Sequence, residues 1–391
     1  MEPVTPPGDE PLLATLTTAQ LRGRTSAKWA LTPPDAIPLW VAEADVPLAA
    51  PIRAALDDAL GRHDVGYTAG IDGYLAAFDG FARERWGWAP PAGTHAQAVA
   101  DVMTGLGEAL RLVTDVGDPV LLDDPVYPPF ATAVRHAGRE VVAVPLRDDG
   151  RLDHRALDAA AGAATAGGGR AAYLLCSPHN PTGVVHTADE LADLAALARR
   201  QGLRVISDEI HAPLVHTGPG FVPYLAVPGT DDAYVVTSAS KGWSLAGVKA
   251  GLLLGGAATG DELARLPDLV GHGASHLGVV AHTAAFADGG PWLDRFVTEV
   301  AETTTWFATE LPGHLPGARH LPSLGTYLAW VDVRDTALAD APARRLADAG
   351  VVVTEGAAFG PSGVGHVRVN LATSRDRLRS ALARIAQAAT R

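Results

Sequence analysis

The feature that most restricts the fold is one continuous unit between residues 171 and 206. Ala171 to Cys176 is an unbroken apolar run of the length of a buried strand. Ser177-Pro178-His179-Asn180-Pro181-Thr182-Gly183 follows, and its prolines, asparagine and glycine favour a turn. Thr187 and Glu190 make a capping box, in which two side chains satisfy amides that a helix start leaves open. Leu191, Leu194 and Leu197 form one apolar stripe, Gly202 closes the helix, and Leu203 to Ile206 returns as a strand. Strand, helix and strand in that order predict parallel pairing with a right-handed crossover. Sheets of this kind bind ligands at the carboxyl ends of their strands. Asn180 and Asp208 stand at two of those ends.

A third strand end carries an amine. The β-branched and aromatic run from Tyr234 to Thr237 delivers Ser238-Ala239-Ser240-Lys241 into a turn. Two hydroxyls able to hold a phosphate thus sit beside an amine able to form a Schiff base. Alone, the tetrapeptide is weak evidence, because most such runs are solvated loops.

The remaining segments fill in around these three. Residues 1–15, with Glu2, Asp9 and Glu10 among prolines, predict a loose arm. Pro51 to Leu60 reads as a helix with Gly61 just beyond it. Tyr67 lies in a glycine-flanked loop, where a plain surface aromatic is an equal reading. Thr104-Gly105-Leu106-Gly107 opens an amphipathic stretch to Val113, and glycines there would let amides approach an anion. A lone Gly-x-Gly is weak, and without further support a simple turn is the better reading. Val120 to Leu122 and Val141 to Pro145 read as strands, Asp123 to Pro129 as a stiff loop carrying Tyr127, and 159–169 as a helix end and loop. From Gly289 the texture changes to a smaller α+β pattern: a helix from Pro291 to Leu311, a strand over 325–332, a strand over 366–371 and a final helix.

Composition narrows the class of molecule. A chain of 391 residues suits roughly two domains. The net charge of −13, with basic residues dispersed, argues against a nucleic-acid partner. A single cysteine, Cys176, excludes an intrachain disulfide and a multi-cysteine metal site, and fits a reducing cytoplasm. Its place at the end of an apolar strand makes it a buried structural thiol. The N-terminus lacks a secretory pattern and no apolar run approaches ~18 residues, so neither export nor a membrane span is expected. His272, His276 and His282 lie near one another without an acidic partner at metal-ligand spacing, so no metal is expected.

Pyridoxal phosphate (PLP) needs a lysine amine, a carboxylate for its pyridine nitrogen, a donor near its phenolic oxygen, a flat ring and a phosphate cup. An amino-acid substrate adds the need for a cation, best met by a bidentate arginine. The sequence offers a candidate for each part.

Asn180-Pro181-Thr182-Gly183, Asp208-Glu209-Ile210-His211 and Ser238-Ala239-Ser240-Lys241 occur in the order found in PLP-dependent enzymes of the aspartate aminotransferase fold. Their separations, 28 residues from Asn180 to Asp208 and 33 from Asp208 to Lys241, fit as well. The chain most resembles the cystathionine β-lyase/C–S lyase branch of that superfamily. Trp40-Val41-Ala42-Glu43-Ala44-Asp45 is similar to its Trp-Val-Ala-Asp-Met-Asp signature, and Asp124 to Phe130, His179 to Gly183, Pro291-Trp292-Leu293 and Gly325 to Trp330 extend the likeness.

The resemblance implies an α/β fold of PLP fold type I: a large domain over 47–288 with a mostly parallel sheet flanked by helices, and a smaller α+β domain from 1–46 and 289–391. It assigns Lys241 to the covalent cofactor link, Asp208 to the pyridine nitrogen, Asn180 to the phenolic oxygen and Tyr127 to the ring face. His211 stands where aminotransferases usually have tyrosine. Gly105 and Leu106 amides, Ser238, Ser240 and Lys249 would hold the phosphate, and Tyr67 would reach that of a neighbouring subunit in a homodimer. Arg368, with Ala42, Asn180 and Tyr127, would bind the substrate. Three positions depart from the pattern: Lys249 replaces an arginine, Glu43 replaces an aspartate, and Leu106 offers no hydroxyl. The implied reaction is β-elimination from cystathionine or a cysteine S-conjugate to thiol, pyruvate and ammonia. The alternatives are aminotransfer and, further off, a non-catalytic binding protein.

Overall fold

The computed structural model describes residues 11–90, 95–321 and 323–390. Its centre is a seven-stranded sheet: β1 (His95–Val99), β2 (Pro119–Asp124), β3 (Glu140–Pro145), β4 (Ala172–Cys176), β5 (Arg204–Asp208), β6 (Tyr234–Thr237) and β7 (Gly251–Gly255). Their order across the sheet is β1-β7-β6-β5-β4-β2-β3. The pairs β3–β2, β2–β4, β4–β5 and β5–β6 are parallel, and β7 runs against both of its neighbours.

Continuous apolar runs are what a parallel sheet covered on both faces demands. Alternate residues of each strand enter different cores. Leu121, Tyr173, Leu175, Val205 and Val235 face one layer, and Val120, Leu122, Leu174, Ile206 and Val236 face the other. The second layer includes helix α1 (Val102–Val113), whose Leu106, Ala109, Leu110 and Val113 are buried against those strands. The expected unit around β4 and β5 is present. Its helix α2 (Ala188–Gln201) starts with the Thr187–Glu190 capping box and ends at Gly202 in the left-handed conformation, φ 66°.

A second sheet is built from β8 (Arg319–Leu321), β9 (Leu328–Asp332), β10 (Thr354–Glu355) and β11 (His366–Asn370), in the antiparallel order β10-β11-β9-β8. Val331, Val367 and Val369 meet Leu378, Leu382 and Ile385 of the last helix, Arg375–Ala389. The helix Gly290–His314 joins the two parts, with Leu293 and Phe296 in the large core and Phe307 and Leu311 in the small one. Ile37–Pro38 pairs in parallel with Val351–Val352, so the first segment lies with the last.

Two expectations change. Residues 1–10 of the predicted loose arm lie outside the described residues, but 11–15 are docked. Leu12 is 1% exposed, and the Leu12 and Leu13 amides donate to the Glu299 carboxylate at 2.7 and 2.9 Å. The strand predicted over 325–332 begins only at Leu328. Before it, the Ser323 hydroxyl donates to the Thr326 carbonyl at 2.8 Å, closing a turn that brings the chain over the Asn180 loop. Gly183, at φ 73°, meets that turn so closely that a Cβ would stand 2.2 Å from Ser323 Oγ.

Candidate active site

Five chain segments end at the same edge of the large sheet. The loop after β2 carries Tyr127 and that after β4 Asn180; Asp208 is the last residue of β5, with His211 in the loop beyond it, and the loop after β6 carries Ser240 and Lys241. Helix α1 leaves β1 there too. With Val41, Ala42, Lys249 and Arg368 they line a cavity of about 210 Å3.

The amine of Lys241 donates to the Ala42 carbonyl at 2.9 Å. Burial and the Arg368 guanidinium bring its pKa down to about 8, against the opposing charges of Glu43 and Asp208. The Tyr327 hydroxyl donates to the same carbonyl at 2.9 Å, a second tie on the 40–45 loop. Asn370 holds it further, its amide donating to the Val41 and Glu43 carbonyls at 2.6 and 2.8 Å. Behind it, Lys28 and Asp45 form a fully buried ion pair at 3.0 Å, with the Trp29 indole donating to Asp45 at 2.7 Å.

Asp208 is 5% exposed and accepts one hydrogen bond, from the Ile210 amide at 3.0 Å. Burial pushes its carboxyl up to about 7, only partly offset by that bond and by Lys241. A carboxylate so placed calls for a proton-bearing cation. His211 beside it is buried, and burial holds its imidazole well below the ordinary value; its Nδ1 has no partner among the described residues.

Arg368 is the other uncompensated group. Its guanidinium donates to Asn180 Oδ1 at 3.0 Å and to the Trp40 carbonyl at 2.8 Å, and lies over the Phe359 ring. No carboxylate pairs with it among the described residues, and its Nε is buried without a partner. Burial lowers its pKa to about 10. A buried guanidinium without a counterion is costly unless an anion arrives.

The anion cup differs from the expected one. Helix α1 starts at Val102, with Asp101 as its N-cap accepting from the Thr104 amide at 2.8 Å. The Gly105 amide is already spent on the Asp101 carbonyl at 2.9 Å, and Leu106 is fully buried in the core. Neither lines the cavity; Val102 and Met103, whose amides belong to the first turn, do. Gly105 serves packing instead, because a Cβ there would come 2.7 Å from Val236 Cγ1. Asp101 is itself a preferred N-cap residue, and it is the glycines at 105 and 107 that set the expected helix start too late.

Ser238 stands behind the cavity, its hydroxyl donating to the Ala250 carbonyl at 2.8 Å and lying 2.8 Å from Ser240 Oγ. Lys249 pairs with Asp101 at 2.7 Å. That contact and the Thr104 bonds outweigh burial and hold the Asp101 carboxyl below its usual range. Tyr67 is 90% exposed and does not reach this cavity within its own chain.

Cys176 is buried, touches the cavity wall, and accepts from the Asn180 amide at 3.4 Å. Burial and Asp208 push its thiol well up. The three histidines considered for a metal face different partners: His276 the Asp64 carboxylate at 3.2 Å, His282 the Tyr74 hydroxyl at 3.3 Å, His272 the Tyr67 ring.

The donor set fits PLP. It offers an amine, a buried carboxylate with no ion-pair partner among the described residues, a tyrosine ring, and a helix start flanked by Ser240 and Lys249 for a phosphate.

The chain is similar to known proteins along nearly its whole length. The sequence pattern of the family "Aminotransferase class I and II" matches residues 97–385. A Mycobacterium tuberculosis protein named "Putative cystathionine beta-lyase" is 47% identical, over 96% of this chain and 97% of its own. "Cystathionine beta-lyase" from Corynebacterium glutamicum is 32% identical, over 94% of this chain and 97% of its own. Among solved structures, a "putative plp-dependent beta-cystathionase" from Corynebacterium diphtheriae superposes with a TM-score of 0.90 at 31% identity, covering 96% of this chain and 98% of that one. The chain belongs to the class I and II aminotransferase family of PLP fold type I, in the branch of these cystathionine β-lyases.

Proposed function

We propose that this chain is a PLP-dependent carbon–sulfur β-lyase that cleaves cystathionine or a cysteine S-conjugate to a thiol, pyruvate and ammonia. The observation that carries the reading is the pairing of the Lys241 amine with two buried, uncompensated groups in one cavity, Asp208 and Arg368. The names of relatives aligned over nearly the whole chain support elimination over transfer.

In this reading Lys241, Asp208, Asn180, Tyr127, His211, Ser240 and Lys249 hold the cofactor, with the Val102 and Met103 amides at its phosphate and Ser238 orienting Ser240. Bound PLP supplies an electron sink for the charge left when Cα loses its proton. Arg368 binds the substrate carboxylate beside Asn180, which fixes the Cα–H bond relative to Lys241. The Lys241 amine takes the Cα proton; with a pKa near 8 it is substantially neutral at mildly alkaline pH. The Cβ–S bond breaks with its electron pair leaving on sulfur as a thiolate. The three-carbon remainder takes up water and ends as pyruvate and ammonia.

The proposal extends to a cytoplasmic homodimer, with residues 47–288 as the cofactor domain and 1–46 with 289–391 as the smaller one. Tyr67 then reaches the cofactor phosphate of the second copy. The test is purified protein supplied with PLP and cystathionine or S-ethylcysteine. Pyruvate and thiol should form with no 2-oxo acid present. An absolute requirement for a 2-oxo acid acceptor would replace the lyase reading with aminotransfer.

A further inference from the structure

Beside the Lys241 cavity runs a groove of about 500 Å3, lined by Arg24, Ser26, Glu43, Leu48, Trp243 and Ser244 among others. The two spaces share Ala246 in their walls, and they meet across consecutive residues of one loop: Val41 and Ala42 face the cavity, Glu43 and Ala44 the groove. The loop is fixed by Asn370 and Lys28, and by the Ala44 amide donating to Ser244 Oγ at 3.1 Å. The groove therefore has a rigid wall next to the reacting centre.

Its charged side chains form no ion pair among the described residues. The backbone of Glu43 is bound on both sides, its amide donating to Val41 and its carbonyl accepting from Lys28 and Asn370. Its carboxylate, by contrast, has no hydrogen-bond or ion-pair partner among the described residues. Arg24 is half-buried, and among the described residues its guanidinium donates to the Ala44 and Val46 carbonyls, at 3.4 and 2.7 Å. No carboxylate pairs with it among the described residues. One groove thus presents a carboxylate and a guanidinium that are not paired with each other.

We propose that Glu43 and Arg24 are specificity residues that read the far end of the sulfur substituent, favouring a chain that ends in its own ammonium and carboxylate. Glu43 accepts from that ammonium and Arg24 donates to that carboxylate, while Arg368 holds the reacting half. The inference rests on the proposed lyase reading. It also gives a use to the longer glutamate at position 43, where the signature that this segment resembles has an aspartate: the extra methylene carries the carboxylate further into the groove.

The test compares cystathionine with S-ethylcysteine, which has the same reacting half and no charged far end. PLP-loaded wild type, Glu43→Gln and Arg24→Gln are mixed rapidly with each ligand, Kd is read from the change in cofactor absorbance that precedes turnover, and pyruvate is measured separately. Each variant should weaken cystathionine at least tenfold and leave S-ethylcysteine within twofold. Equal loss for both ligands, or no loss for either, overturns the role of Glu43 and Arg24. Absence of pyruvate from wild type overturns the lyase reading instead, while the ratio of the two Kd values still decides the subsite.

Discussion

Asp208 and Arg368 are each expensive to bury, and each makes sense only with a guest. For Asp208 the sign follows from its raised pKa. The unfolded carboxyl ionises near its ordinary value of 3.8 and the folded one at about 7. Without a bound cation the ionised form is disfavoured in the fold, so a penalty builds as pH rises from about 4 to 7 and is fully present above. It amounts to a few kcal/mol by the order-of-magnitude conversion of a pKa shift. Asp208→Asn should therefore raise the melting temperature of PLP-free protein at pH 8, leave it nearly unchanged at pH 4, and lower it once PLP is added. A variant that melts below wild type at pH 8 without PLP would contradict this. Arg368→Lys keeps the charge but loses the two-pronged donor. Substrate kcat/KM should fall by about two orders of magnitude, the scale of ~2–5 kcal/mol for a buried charged pair, with the PLP absorbance retained. Unchanged kcat/KM would remove Arg368 from carboxylate binding. At this scale the sequence was legible where a polar residue follows a strand: Asn180, Asp208 and Lys241 all lie where strand ends put them. Arg368 sits inside strand β11, whose pattern says nothing about a ligand; its role came only from resemblance.

Elements set how finely those residues are aimed. Helix α1 packs so tightly on β6 that position 105 has no room for a methyl group beside Val236. Glycine there costs helix propensity, yet it lets the first turn reach the cavity edge with Val102 and Met103. Reading Gly105 as an anion-binding glycine assigned a packing signal to chemistry, because a glycine near a helix start has the same appearance in both roles. The distinction yields a prediction. Gly105→Ala should destabilise the protein by about 1–3 kcal/mol through overpacking and weaken PLP binding by moving the helix start. Val236→Ala opens space and costs something of its own, but combining it with Gly105→Ala should restore both PLP affinity and part of the stability. Denaturant melts and PLP titrations of the four proteins form a double-mutant cycle. Strictly additive losses would show that the two positions do not press on each other.

At the scale of the molecule, the cavity belongs to no single unit. Lys241 and Asp208 come from the large sheet, Arg368 from the small one, and the Ala42 carbonyl from a loop tied to both. This three-way junction was only partly legible beforehand. The βαβ unit announces the sheet locally, whereas the docking of Leu12 and Leu13 on Glu299 joins positions more than 280 residues apart and leaves no local pattern. The same reasoning applies to the second copy. Leu60, Val65, Tyr67 and Leu269 are exposed large apolar residues, which a homodimer would cover. If Tyr67 acts across that interface, two inactive variants complement each other. Lys241→Ala lacks the amine but has Tyr67, and Tyr67→Ala has the amine but lacks the partner ring. A mixed dimer holds one site with neither change and one with both. Unfolding, mixing and refolding the two in equal amounts makes about half the dimers mixed, so roughly a quarter of wild-type sites should return. Pyruvate formation by the mixture, measured against each variant refolded alone, reads this directly. If Tyr67 serves only its own chain, each mixed dimer holds one site without the amine and one without the ring, and the mixture gains nothing over the average of its parents.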